Sequence, residues 1–169
     1  MFWNVRKLNN TAKALIILAN DGIDFYKKLP NQKLQKKGEV EILIFNSSFI
    51  GMKLSTYNPI LYNNTVVEYN HRLDKEIAKR YINTKSDKYP DFLNARLSEY
   101  TKCLKGFSDD PMYINKRLLI RFFKIPGEGY RPVEVKSSEL LDFQLGVAYS
   151  LSFIDEELKA IIEYAESRL

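Results

Sequence analysis

His71 and Cys103 are the single histidine and the single cysteine in this chain of 169 residues. Zinc clusters, paired-histidine metal sites and CxxC redox motifs each need at least two such side chains, so one chain cannot form them. The sequence also has no glycine-rich phosphate-binding loop and no nucleophile elbow. We therefore expect no bound metal and no cofactor.

Glu68 and His71 form an ExxH pair that would share one face of a predicted helix. Di-iron carboxylate bundles use two such pairs and two further glutamates, so the single histidine excludes that site within one chain. His71 is then either a surface residue or part of a metal site that two subunits share. His71 with Asp74 would be the base of a catalytic triad, but no serine or cysteine lies in a nucleophile motif. Cys103 flanks an apolar stripe, which predicts a packing role.

Carboxylate-only catalysis remains open, since the chain has 21 acidic residues. The acidic runs at 109–110 and 155–157 are each explained as charges at the start of a helix. No pair of carboxylates is singled out by its spacing.

Positive charge is concentrated in two segments. The first, 27–37, has five lysines and no acidic residue. The second is a predicted helix after Pro111, where basic residues at i, i+4 and i+7 share one face, and it is followed by a further arginine. The candidate ligand-binding residues are Lys116, Arg117, Arg121, Lys124 and Arg131. Guanidinium groups at this density can hold phosphates. The alternative interpretation is that the two segments are only a solvated loop and a solvated helix face. Whether the two segments converge is left open.

Composition favours a helical globular domain. Hydrophobic residues make up 45% and charged residues 28% of the chain, the net charge is +5, and there are only seven glycines. The longest apolar run near the N-terminus, 14–19, is too short to span a membrane or to form a signal-peptide core. We expect a single domain over 1–169, without a membrane span and in the cytoplasm.

Apolar spacing and capping signals predict six to seven helices. The first runs over 10–28 with a turn signal at Asn20-Asp21-Gly22, and an apolar segment over 39–55 is predicted to be a central helix, with a strand pair as the alternative. A capping box at 65–68 predicts the next start, and prolines predict starts at 90 and 111. Two last helices are predicted to begin at Ser137 or Ser138 and at Asp155.

The predicted inward faces include Met112 in the basic helix and an apolar set in the helix after Ser137. That set comprises Leu140, Leu141, Leu145 and Ala148. The fold expected from these patterns is all-α, an irregular or orthogonal bundle, with at most a minor strand element at 39–57 or 126–136.

The function expected from the sequence is binding of another protein, because catalytic motifs are missing and eleven tyrosines are present, several near predicted helix ends. These tyrosines either cap the core or line an interface. The alternative function is binding of nucleic acid or a phosphate ligand through the basic helix 116–124. An enzyme with a carboxylate site is the third hypothesis.

Overall fold

The computed structural model of this protein describes residues 5–30, 32–80, 87–124 and 134–167. Within these ranges the chain is helical and no strand is present. The elements are α1 (Val5–Asp21), α2 (Asp24–Lys27), α3 (Lys36–Tyr57), α4 (Pro59–Arg80), α5 (Tyr89–Lys105), α6 (Pro111–Leu119) with a π-helical continuation (Ile120–Lys124), and α7 (Ser137–Glu166). The predicted all-α bundle of six to seven helices is confirmed.

α3 is the central helix of the bundle. It contacts α1, α4, α5, α7 and the π-helical segment, and every residue from Val40 to Ile50 is buried. The predicted helix over 39–55 is confirmed, and the alternative strand pair is wrong. With neighbours on every side, a run of β-branched residues is stable in a helix because packing outweighs intrinsic propensity.

The turn signal at 20–22 is confirmed as the end of α1. Two side chains from other helices bind the carbonyl groups at this end, which lack partners within α1. Asn46 Nδ2 donates to the Ala19 carbonyl oxygen at 3.0 Å, and Ser150 Oγ donates to the Gly22 carbonyl oxygen at 3.1 Å. These bonds attach the turn to α3 and α7.

The capping box predicted at 65–68 is wrong, because α4 begins six residues earlier, at Pro59. Asn58 provides the cap: its Oδ1 accepts a hydrogen bond from the Leu61 backbone N–H at 2.8 Å. Thr65 is buried inside the helix and its hydroxyl donates to the Leu61 carbonyl oxygen at 2.7 Å. A Thr-x-x-Glu pattern therefore occurs here within a helix rather than at its start.

The proline starts of α5 and α6 are confirmed. The Asp110 side chain caps α6 by accepting a hydrogen bond from the Tyr113 backbone N–H at 3.1 Å, and Gly106 ends α5. Met112, which was predicted to face inward, is 65% exposed. It lies in the first turn of α6, where the helix has not yet come against its neighbours.

The C-terminal region forms one helix, α7, where two were predicted. It begins at Ser137 but is not capped by a serine: Lys136 precedes the helix, and its backbone N–H donates to the Glu139 carboxylate at 3.2 Å. The charges predicted to start a last helix at Asp155 lie within α7. Most of the possible strand segment 126–136 lies outside the described residues.

An aromatic cluster connects the helices around the π-helical segment. The Phe122 ring lies 5.6 to 6.1 Å, centroid to centroid, from four other buried rings. These belong to Tyr26, Phe45, Tyr100 and Phe143. Mostly edge-to-face contacts of this kind add to the burial energy of large rings, so the segment that carries the basic residues is anchored in the core.

Candidate functional site

The bundle brings three arginines, from α5, α6 and the π-helical segment, to one carboxylate. Glu99 accepts hydrogen bonds from Arg96 Nη1 at 3.1 Å, from Arg117 Nη2 at 2.7 Å and from Arg121 Nη2 at 3.4 Å. Sequence reasoning did not single out Glu99. The i, i+3 spacing of Arg96 and Glu99 was the only local signal, since the pairing with α6 is a tertiary contact.

This cluster continues into the core through Arg96. Its Nε donates to the carboxylate of Glu41 on α3 at 3.1 Å, and the Tyr100 hydroxyl donates to the same carboxylate. Glu41 is only 8% exposed, so both bonds are needed to offset the loss of its hydration. Burial, reinforced by the Glu41 charge, raises the pKa of Tyr100, which therefore stays a neutral donor.

The surface end of the cluster carries excess positive charge. Partial burial acts to raise the pKa of Glu99, but Arg121, Arg117 and Arg96 outweigh it and the net pKa is lowered. Glu99 is thus ionised at neutral pH, and the two guanidinium groups of α6 share one negative charge. An anion beside them would meet an uncompensated cation.

The other predicted binding residues do not all join this cluster. Lys124 Nζ lies 3.3 Å from both carboxylate oxygens of Glu139 on α7. Lys116 is exposed, and no ion pair involves it within the described ranges. Arg131 lies outside the described residues. The structure therefore brings Arg117 and Arg121 together and directs Lys124 to a different partner.

Two open grooves border Arg117. One, of about 410 Å³, is lined by Tyr113, Ile120 and the basic side chains of α6, and the other, of about 490 Å³, lies between α5 and α6. Tyr113 borders both grooves and is 60% exposed. We call the surface formed by Lys116, Arg117 and Arg121 the basic face. It therefore includes an exposed aromatic ring.

The lysine-rich segment 27–37 is followed by a contact with the π-helical segment. Lys27 pairs with Asp24 at 3.2 Å and with Glu39 at 3.8 Å. The segment leads into the start of α3, where Gly38 lies directly against the backbone of Phe122. Its last two lysines, at 36 and 37, are exposed beside that contact.

α7 has an apolar stripe on the protein surface. Leu141, Leu145 and Tyr149, at i, i+4 and i+8, are 58%, 48% and 63% exposed. We call these three residues the α7 stripe. Leu141 and Leu145 were predicted to face the core together with Ala148, which is also exposed; this prediction is wrong. The side of α7 that packs inward instead carries Phe143, Val147, Ser150 and Ile154.

α7 is apolar on more than one face, so periodicity alone does not distinguish the buried side. The helix packs against α1, α2, α3 and α6. Gly146 lets it also approach the segment after α2 closely, because an added Cβ there would lie 2.9 Å from Leu29 Cδ2. The side of α7 opposite these contacts carries the stripe, which stays exposed.

The single histidine, the single cysteine and their candidate partners form no site for metal or nucleophile chemistry in the described part of the chain. His71 is exposed, and Glu68 pairs with Arg72 at 2.7 Å rather than with the histidine. Cys103 is buried against the core. No group of three metal-ligating side chains occurs among the described residues. None of the described helices combines the length and the apolar character needed to cross a membrane.

No protein-family model, no curated protein and no solved structure matches this chain.

Proposed function

We propose that this protein is a protein-interaction module whose docking site is the α7 stripe. The observation that carries this proposal is the row of three large apolar side chains left in solvent on one helix face. Contiguous exposed apolar side chains are characteristic of interaction sites, whereas isolated ones are ordinary.

The stripe has the dimensions of a helix-recognition surface. Leu141 and Tyr149 are eight residues apart, so they span about 12 Å along the helix axis. Anchors at i and i+4 are the pattern by which one amphipathic helix packs against another. A partner helix with apolar residues at the same spacing would bury all three side chains.

The charge of α7 indicates what borders the apolar face of that partner. α7 contains seven acidic residues and one lysine, a formal charge of −6, so the rest of the +5 chain carries +11. Asp142 adjoins the stripe and Glu156 continues its line at i+7 from Tyr149. Neither has an ion-pair partner within the described ranges. The partner is therefore an amphipathic helix that carries lysine or arginine beside its apolar face.

A model peptide tests this proposal. A fluorescent 14-residue helix of leucine and lysine, with leucines at i, i+3 and i+4, would be titrated with the protein and followed by anisotropy. We expect Leu145→Glu to weaken binding at least about tenfold, because it places a charge in the apolar contact. Val67→Glu is the matched control, since Val67 is an apolar side chain on a different helix, α4, and is 79% exposed.

Three outcomes contradict the proposal. Equal binding by the Leu145→Glu and Val67→Glu variants would show that the peptide does not use the stripe. Equal binding of a peptide with glutamate in place of lysine would show that the acidic charge of α7 does not contribute to binding. A wild-type dimer that Leu145→Glu dissociates, seen by sedimentation, would show that a second copy occupies the stripe.

A second candidate function is binding of a phosphate ligand or nucleic acid at the basic face. It is supported by the sharing of Glu99 between Arg117 and Arg121 beside Lys116, which has no ion-pair partner in the described part of the chain. If this face binds nucleic acid, affinity falls steeply with salt, and each lost phosphate contact lowers the slope of log affinity against log salt by roughly 0.7 to 0.9.

An oligonucleotide titration at low and moderate salt, with wild type and the Arg117→Ala/Arg121→Ala variant, separates the two functions. We expect no salt-sensitive binding, because Glu99 already neutralises part of the charge. Micromolar binding that the double variant abolishes would make the basic face the functional surface instead.

A further inference from the structure

The groove along α6 and the start of the π-helical segment combines apolar and cationic side chains that solvent can reach. Its volume is about 410 Å³, and it is lined by Tyr113, Ile120 and the three cations of the basic face. Tyr113 is 60% exposed, and Met112, the preceding residue, is 65% exposed. The volume is within the range of ligand sites in proteins, so the groove has room for a large apolar side chain of a ligand.

The charged groups of this groove have hydrogen-bond donors open to solvent. Arg117 and Arg121 each use one terminal nitrogen, Nη2, on the same oxygen of Glu99, and their side chains remain 49% and 32% exposed. A guanidinium group has five N–H donors. Neither arginine makes another hydrogen bond within the described ranges, so most of these donors are available to a ligand. The third cation, Lys116, is fully at the surface.

The charge of the groove fits a ligand with few negative charges. The basic face has three cations and contacts one carboxylate, that of Glu99, so together they have a formal charge of +2. Binding of a nucleic-acid backbone depends on a long row of neutralised phosphates. Two or more carboxylates in one short segment are sufficient to match +2, and each can accept two parallel hydrogen bonds from a guanidinium group.

The apolar part of the groove adds a requirement that charge alone does not make. Exposed tyrosine and methionine side chains are enriched where proteins bind other proteins. The stems of lysine and arginine are also apolar and can cover a side chain that lies between them. A ligand that satisfies the whole groove therefore has an apolar side chain with carboxylates on both sides of it.

We infer that α6 and the π-helical segment form a second docking site, which binds an acidic peptide segment of another protein with one large apolar side chain between its carboxylates. The apolar side chain lies against Tyr113 and Ile120, and the carboxylates bind the basic face. This partner is opposite in charge to the partner of the α7 stripe. The two surfaces share no residue, so the test of this inference and that of the proposed function succeed or fail separately.

The test compares three fluorescent peptides of ten residues, each titrated with the protein at low salt and followed by anisotropy. The first peptide has a central phenylalanine with two glutamates on each side, in a background of glycine and serine. The second has serine in place of the phenylalanine, and the third has glutamines in place of the glutamates. We expect micromolar binding of the first peptide and about tenfold weaker binding of the other two, because each lacks either the apolar anchor or the charged contacts.

Variants of the protein locate the binding site. Lys116→Glu should weaken the first peptide at least about tenfold, because it places an anion against the carboxylates. Lys75→Glu is the matched control, since Lys75 is an exposed lysine of α4 and its substitution changes the net charge equally. Tyr113→Ala should weaken the first peptide but not the peptide without phenylalanine, and Leu145→Glu should leave both unchanged. Thermal unfolding of each variant confirms that it is folded.

Five results would overturn the inference. Equal affinities of the Lys116→Glu and Lys75→Glu variants would show that the peptide does not use the groove. Equal binding of the first two peptides would show that no apolar side chain enters it, and no binding of any peptide at millimolar concentration would show that the groove holds only solvent. Tighter binding of a ten-nucleotide thymidine strand, lost in Lys116→Glu, would make it a nucleic-acid site. Self-association of wild type that Lys116→Glu abolishes, seen by sedimentation, would show that a second copy occupies it.

Discussion

Gly38→Ala is expected to loosen the contact between the central helix and the π-helical segment. Gly38 is buried near the start of α3, and a Cβ placed on it would lie 2.1 Å from the Phe122 carbonyl oxygen and 2.8 Å from Leu34 Cδ1. Carbon and carbonyl oxygen ordinarily approach no closer than about 3.3 Å. The alanine methyl therefore requires α3 and the π-helical segment to separate by about 1 Å.

The loss in free energy of unfolding depends on the residue whose carbonyl group is displaced. Phe122 is the hub of the aromatic cluster, so a shift of its backbone disturbs several buried ring contacts. Overpacking of a core costs about 1–3 kcal/mol, and alanine recovers up to about 1 kcal/mol of helix propensity relative to glycine. Since the obstacle is backbone rather than a flexible side chain, we expect a net loss of about 2 kcal/mol.

The matched control is Gly51→Ala in the same helix. Its Cβ would have one neighbour, at 3.9 Å, so the propensity gain of about 0.5–1 kcal/mol should appear without strain. Urea unfolding followed by circular dichroism measures both free energies. With a slope of about 2–3 kcal/mol per molar urea, the two midpoints should differ by about 1 M. Equal midpoints, or a Gly38→Ala variant at least as stable as wild type, would refute the close approach of the two backbones.

Three further predictions concern polar groups of the bundle. Asn46→Ala should cost about 1–3 kcal/mol in urea unfolding, because it removes the hydrogen bond to the Ala19 carbonyl and leaves a cavity; an unchanged midpoint would contradict this. Ser150→Ala should cost about 1 kcal/mol by the same assay, through its bond to Gly22. The lowered pKa of Glu99 contributes stability that is present above its unfolded pKa of about 4.3 and is lost as pH falls through the folded pKa. Glu99→Gln should therefore destabilise the protein at pH 7 and reduce the loss of stability on acidification; the same loss in both proteins would show that Glu99 is not a source of it.

Local sequence signals determined the helix starts that depend on a single residue's chemistry. Proline at the first turns of α5 and α6 and the Asp110 cap act within one turn of the chain, so the sequence alone predicts them. The turn at 20–22 is of the same kind. The absence of paired histidines and cysteines is a property of composition and needs no structure.

Tertiary packing decided which side of each helix is buried against its neighbours and which side is exposed. The Thr65–Glu68 pattern satisfies the capping rule but lies inside α4, where Thr65 is fully buried in a helix that packs against α1 and α3. α7 is apolar on two faces, and only its contacts with other helices show that the side bearing Leu145 is exposed.

The candidate binding surfaces show the same distinction between what the sequence predicts and what the packing of helices decides. Sequence identified the basic residues of α6 by their i, i+4 spacing, but the carboxylate that binds Arg117 and Arg121 comes from α5, about 20 positions away. A helix specifies the spacing of its own side chains, whereas the partner that each side chain meets is set by how the helices pack.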